Sequence, residues 1–187
     1  MRTITIEEHF ATSLFLAGPG SSISQYPEIA GKLLDLGEKR IAEMDSAGID
    51  VQVLSMTPPG VEQSPAAEAI TLSKEINDQL ALAIAAFPDR FCGFAAIPTV
   101  DPKAAVAELE RAVGSLGFKG AIINGHVNGR YLDDEYFWPI FESMQALGVP
   151  IYLHPTKPPK AISDIYYSGF SPVVDEFFCR WGLWLAY

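Results

Sequence analysis

One pattern constrains this chain before any other: short apolar runs alternate with helix-length segments from one end to the other. Thr3 to Ile6 alternates Thr with Ile, Val51 to Met56 is apolar with two valines, and Phe91 to Ile97, Lys119 to Gly125 and Pro150 to Leu153 repeat the theme. Each run has strand length and strand composition. Between them lie segments with helical spacing. Pro27 to Ala47 places Leu33, Leu34, Ile41 and Met44 on one side and stops at Gly48. Ala66 to Phe87 stops at Pro88, Lys103 to Leu116 carries Val106, Leu109 and Val113 in register before Gly117, and Tyr136 to Leu147 stops at Gly148. Glycine after a last helical turn and proline beyond it are helix stop signals. Five strands each separated by a helix predict a parallel sheet built from right-handed crossovers, an α/β fold. The alternation suits an open doubly wound sheet or a barrel equally.

With 49% hydrophobic and 19% charged residues in 187, the chain can bury one sizeable core, and a single domain is expected. A formal charge of -10 disfavours nucleic acid and anionic membrane as partners, because polyanions require Lys and Arg on a shared face. A small-molecule ligand is the better expectation. Cys92 and Cys179 are the two cysteines, too few and too far apart for a disulfide scaffold or a thiolate zinc site, which fits a reducing cytoplasm. Glu7, Glu8 and His9 interrupt the N-terminus where a signal peptide would need an apolar core, and no later run has membrane-spanning length. The sequence therefore predicts a soluble, cytoplasmic protein.

In parallel α/β folds ligands bind where loops leave the C-terminal strand ends. His9, Ser55, Thr57, Asn124, His126 and His154 fall there. The segment Ala17-Gly18-Pro19-Gly20 contains Pro and lacks the spacing of a phosphate loop, so nucleotide binding is disfavoured. Residues two apart on a strand share a face, so Glu7 and His9 can aim together into the mouth of the sheet. A carboxylate oxygen and an imidazole nitrogen suit Zn, Mn or Fe, and Mg less well. His154, at the end of the fifth strand, could add a third ligand. The plainer alternative keeps His9 and His154 as hydrogen-bonded strand-end histidines and Glu7 as an ion-pair partner. His126, beside Gly125 and Asn128-Gly129, reads as an exposed turn residue. Asn124 could offer its side-chain amide to a substrate carboxylate or phenol, although Asn-Gly is equally an ordinary turn pair. Asp133, Asp134 and Glu135 are expected to cap the fourth helix. Ser55 has no histidine beside it in sequence to support nucleophilic chemistry, and Cys92 reads as packing.

Several blocks share one further property. Glu7-Glu8-His9-Phe10, Arg40 to Asp50 (RIAEMDSAGID), Pro88-Asp89-Arg90-Phe91, Leu116 to Ala121 (LGFKGA), Gly129 to Asp134 (GRYLDD) and Val149 to Pro155 (VPIYLHP) follow one another over almost the whole chain. In this order the sequence resembles the amidohydrolase-related decarboxylases, which include gamma-resorcylate, 2,3-dihydroxybenzoate and aminocarboxymuconate-semialdehyde decarboxylases. The resemblance implies a TIM-type (β/α)8 barrel of which residues 1–187 form about five β/α units, a single incomplete barrel domain. It implies one divalent metal ion (Zn, Mn or Mg) held by Glu7, His9 and His154, and carboxy-lyase chemistry on a hydroxylated aromatic acid. The Glu-x-His form of the first motif is similar to the hydroxybenzoate enzymes. A metal-dependent hydrolase on the same scaffold and a catalytically inactive barrel fragment are the competing readings. Related barrels are commonly oligomeric, so a homo-oligomer is also expected. The family pattern continues to a histidine on strand six and a catalytic aspartate on strand eight, both past Tyr187, so no catalytic residue is assigned here. A full barrel needs about 250 residues, and the end of the chain, with Trp181, Trp184 and Leu185 at helical spacing, reads as a surface that packs on further strands.

Overall fold

In the computed structural model, which describes residues 1–166 together with 168 and 169, the chain is α/β with every strand pair parallel. Strand β1 (Ile4–Phe10) is followed by helices α1 (Ser13–Ala17), α2 (Pro27–Leu34) and α3 (Glu38–Ala47), then by β2 (Val51–Met56) and the long α4 (Ala66–Ala86). Next come β3 (Phe91–Gly93), β4 (Ala95–Ala96), α5 (Pro102–Gly114), β5 (Ala121–Asn124), α6 (Trp138–Leu147), β6 (Ile151–His154) and α7 (Lys160–Tyr166). The ladders run β1-β2-β3 and β4-β5-β6. Phe94 joins them, since its N–H donates to Leu54 O at 2.9 Å, and the strand order thus follows the chain order, as successive parallel crossovers require. No closed barrel forms among the described residues, and none of their helices is long and apolar enough to cross a membrane. The aromatic segment containing Trp181, Trp184 and Leu185, and Cys179 with it, lies outside the described residues.

Three elements depart from the sequence expectation, each for a local reason. The helix expected over 27–47 is two helices, because Asp35 Oδ1 accepts the Gly37 N–H at 2.9 Å and this side-chain turn competes with helical hydrogen bonding. The strand expected over 91–97 breaks at Phe94. Asn77 of α4 repairs the break: its Oδ1 accepts from Ala96 N and its Nδ2 donates to Ala96 O, both at 2.9 Å. Strand β1 extends to Phe10 and is not buried along its first half. Ile4 and Ile6 are 52% and 53% exposed because β1 has β2 as its one ladder neighbour among the described strands.

Most of the core lies between the sheet and the helices, where Phe10, Met44, Leu54, Met56, Ile76, Leu80, Ile97, Leu109 and Ile140 are buried. The opposite face of the sheet carries a smaller apolar cluster of Val53, Phe94 and Ile122, with Cys92 and Tyr152 packed against it. Because strand side chains alternate, the residues two positions further along β2, β5 and β6 continue that inner face. They are Ser55, Asn124 and His154. An apolar floor thus lies below a polar mouth.

Candidate metal centre

The end of β1 is held in place by Arg40 of α3, whose Nη2 donates to His9 O at 2.7 Å. Between Thr5 and Glu8 the ladder slips: Thr5 pairs with Gln52 but Glu8 pairs with Leu54, so β1 advances three residues while β2 advances two. This bulge falls at Ile6 and Glu7. Bulges re-aim side chains, so regular two-residue alternation does not hold where Glu7 sits. Glu7 nevertheless reaches the same point as His9, while Glu8 turns elsewhere and accepts from Gln52 Nε2 at 3.2 Å.

Glu7, His9 and His154 are brought together, with one possible ligand atom from each lying within 4.8 Å of the others. His9 Nε2 and His154 Nε2 stand 3.3 Å apart, and His154 Nε2 is 3.4 Å from Glu7 Oε1. Two donors each about 2.1 Å from one ion are separated by roughly 3.0–3.4 Å in octahedral or tetrahedral arrangements, so the two spacings that involve His154 fit a shared cation. The proton positions fit as well. His154 Nδ1 lies 2.7 Å from Pro155 O, which can only accept, so Nδ1 carries the hydrogen and Nε2 keeps a lone pair. His9 Nδ1 meets Ser55 Oγ at 3.3 Å, leaving its Nε2 directed at His154. Burial first, and the neighbouring His154 second, lower the His9 pKa to about 4, which keeps the ring neutral and able to coordinate. Glu7 Oε2 accepts the Tyr152 hydroxyl at 2.7 Å. Burial and this bond push the phenol up to about 12.

The other strand-end residues are distributed differently. Asn124 sits at the end of β5, in register with His154 and 1% exposed, with its N–H donating to Glu62 Oε1 at 2.8 Å. His126 corrects the expectation of an exposed turn residue. It is buried, Gly129 N donates to its Nδ1 at 2.9 Å, and its Nε2 therefore donates to Lys157 O at 3.0 Å. The ring ties two loops and has no free lone pair for an ion. Of the acids expected to cap the fourth helix, Asp134 caps the short turn Glu135–Phe137 that leads into α6, accepting from Tyr136 N at 2.8 Å, while α6 itself has no side-chain cap. Sequence reasoning missed Tyr152 and Glu62. Tyr152 was open to discovery through the alternation of β6, which puts it on the face of His154; Glu62 lies in a loop without periodicity and carries no such signal.

Comparison with known proteins places this geometry. The family model described as amidohydrolase matches residues 11–177. Gamma-resorcylate decarboxylase of Polaromonas sp. (strain JS666) is 40% identical over 172 residues, covering 87% of this chain and 53% of that protein. The structure of a dihydroxybenzoic acid decarboxylase from Polaromonas sp. JS666, with bound manganese and the inhibitor 2-nitroresorcinol, matches with a TM-score of 0.82 and 39% identity over 90% of this chain and 54% of that one. A 5-carboxyvanillate decarboxylase from Novosphingobium aromaticivorans, complexed with manganese and 4-hydroxy-3-methoxy-5-nitrobenzoic acid, matches with a TM-score of 0.83 and 36% identity over 97% and 56% of the two chains. The chain thus spans about half the length of the curated relatives it matches. A match over most of its residues, an unbroken β/α alternation and a parallel sheet in chain order make the chain a member of the amidohydrolase family, with the fold of part of its (β/α)8 barrel.

Proposed function

We propose that this chain is a single domain, the first five β/α units of a metal-dependent carboxy-lyase that removes carbon dioxide from a hydroxylated aromatic acid without oxidation. One observation carries the reading: Glu7 Oε1, His9 Nε2 and His154 Nε2 converge, with 3.3 Å between the two nitrogens, 3.4 Å from His154 Nε2 to Glu7 Oε1, and the His154 hydrogen on Nδ1. The ligand set is Glu7, His9 and His154. Manganese is preferred over zinc, because a carboxylate in the set suits a harder ion and the two structural relatives hold manganese. When bound, the divalent ion supplies Lewis-acid orientation of the substrate's carboxylate and adjacent hydroxyl. The chain's own residues do the rest. Tyr152 fixes the Glu7 carboxylate, Ser55 and Pro155 O fix the two imidazoles, and the floor of Val53, Phe94 and Ile122, with Tyr152 against it, offers the ring an apolar surface. In the reaction the bond between ring carbon and carboxyl carbon breaks, its electron pair stays on the ring carbon, and a proton takes the place of carbon dioxide. No residue of this chain is assigned that proton. Asn124 is assigned to the substrate. The acidic charge and the two cysteines support a cytoplasmic setting.

The test is to load the protein with manganese and supply 2,6-dihydroxybenzoate. Carbon dioxide release supports the carboxy-lyase reading; opening of a lactone or amide in its place supports a hydrolase on the same scaffold. Manganese binding without turnover of either substrate class supports the catalytically inactive fragment. Full manganese content in both Glu7→Ala and His154→Ala would overturn the ligand set.

A further inference from the structure

The loop between β2 and α4 reaches past β3 and β4 to the end of β5. Its Glu62 is 2% exposed, and Glu62 Oε1 accepts both the Asn124 backbone N–H at 2.8 Å and the Asn124 Nδ2 amide at 3.4 Å. Gly60, at a φ of 66°, makes room for this contact: a Cβ there would collide with Glu62 Oε2 and with Asn124 Nδ2. Asn124 Oδ1, on the other side of the amide, is buried and has no hydrogen-bond partner among the described residues. Asn124 follows Ile122 by two residues and pairs with His154, so its side chain leaves the sheet on the face that carries the metal ligands.

We infer that Glu62 is a positioning residue that fixes the Asn124 amide with its NH2 turned inward, so that Asn124 presents only a carbonyl acceptor and selects a ligand hydroxyl. The orientation follows from chemistry. Turning the amide over would set Asn124 Oδ1 against Glu62 Oε1, two acceptors face to face. Because Oε1 already takes the backbone N–H, any proton on the carboxyl sits on Oε2, and Oε1 stays an acceptor in either state. A ligand carboxylate, which is acceptor-only, gains nothing from Oδ1, whereas a phenolic O–H donates to it. Asn124 Oδ1 has no partner of its own among the described residues, so a ligand that supplies a donor gains a bond that one lacking it does not. This inference rests on the hydroxybenzoate reading of the site and sharpens it: one ring hydroxyl is recognised by Asn124, apart from the carboxylate.

The experiment compares binding of 2,6-dihydroxybenzoate and 2-fluoro-6-hydroxybenzoate to the manganese-loaded protein by titration calorimetry. The fluorine replaces one O–H donor at similar size. The protein and its Glu62→Gln variant, which keeps the Oε1 acceptor, should prefer the dihydroxy ligand by about tenfold or more. Asn124→Ala and Glu62→Leu should bring the two affinities close to equal. Equal affinities in the unaltered protein, or an undiminished preference in Asn124→Ala, would overturn the inference. If neither ligand binds, the hydroxybenzoate reading falls, and the selection of a ligand hydroxyl falls with it. The orientation of Asn124 is tested apart from ligands through its side-chain amide in nuclear magnetic resonance. One of its two protons should lose its downfield shift in Glu62→Leu and keep it in Glu62→Gln; a resonance identical in all three proteins would overturn the orienting role.

Discussion

Tyr152 donates its hydroxyl to Glu7 Oε2 at 2.7 Å, while Glu7 Oε1 lies 3.4 Å from the lone pair of His154 Nε2, so β6 fixes one oxygen of the carboxylate and sets the other beside a second ligand atom. Removing a group that orients a metal ligand costs about 10–100-fold in metal affinity. Tyr152→Phe should therefore weaken manganese binding by about that factor in a calorimetric titration, with unchanged circular dichroism. The phenol, pushed up to about 12, remains a donor across the neutral range, so the loss should be the same at pH 6 and pH 8.

Glu62 sets a pH dependence of stability. Burial raises its carboxyl from the ordinary 4.5 to about 7, opposed by hydrogen bonds from Asn124 and from the backbone of Val61 and Glu62. Between these values the folded protein holds a proton that the unfolded chain has released, so stability falls as pH rises from 4.5 through 7. The cost above pH 7 is roughly 3 kcal/mol at most. Glu62→Gln should remove this slope in urea unfolding followed from pH 5 to pH 8.

Asn77 splices the broken strand, and Nδ2 also donates to the buried Glu108 at 2.7 Å. Replacing it by alanine leaves the Ala96 N–H and C=O unpaired next to a buried carboxylate. A loss of about 2–4 kcal/mol is expected in denaturant unfolding. A loss below about 1 kcal/mol would show that Ala96 finds other partners.

His126 accepts the Gly129 N–H on Nδ1, which is possible only for the neutral ring. Burial lowers its pKa, partly offset by the bond to Lys157 O. The bond to Gly129 thus contributes fully above the ordinary value of 6.5 and is lost as pH falls below it through the depressed folded value. Hydrogen exchange, corrected for its intrinsic pH dependence, should show Gly129 protection falling on acidification below pH 6.5 while the Leu54 and Leu80 amides keep theirs.

Periodicity made the architecture legible, because parallel β/α units write their strands as short apolar runs and their helices as 3.6-residue patterns. Val51 to Met56 was readable to the residue. The breaks were not. Asp35 stops a helix through a side-chain turn, and Phe94 divides a strand whose repair depends on Asn77, seventeen residues earlier; neither leaves a periodic trace. At the site, the placement of Glu7, His9 and His154 near one another could be argued from strand ends, yet the bulge that re-aims Glu7 could not. His126 was misread because a glycine-rich neighbourhood suggested exposure, whereas Gln63 and Lys157, distant in sequence, close over it. Glu62 was invisible for the same reason: its partner is an amide sixty-two residues away.

Glu62 and Gln63 grip β5 beyond its neighbouring strand, Glu62 through Asn124 and Gln63 through His126 O and Asn128 N. A bracket of this kind fixes that arc of the rim. The loop over residues 97–101, between β4 and α5, is fixed as well, since Ile97, Pro98 and Thr99 are buried and Asp101 caps α5. Changes of substrate are better sought through substitutions that keep the length of 57–65, where one residue more or less would pull on both clamps.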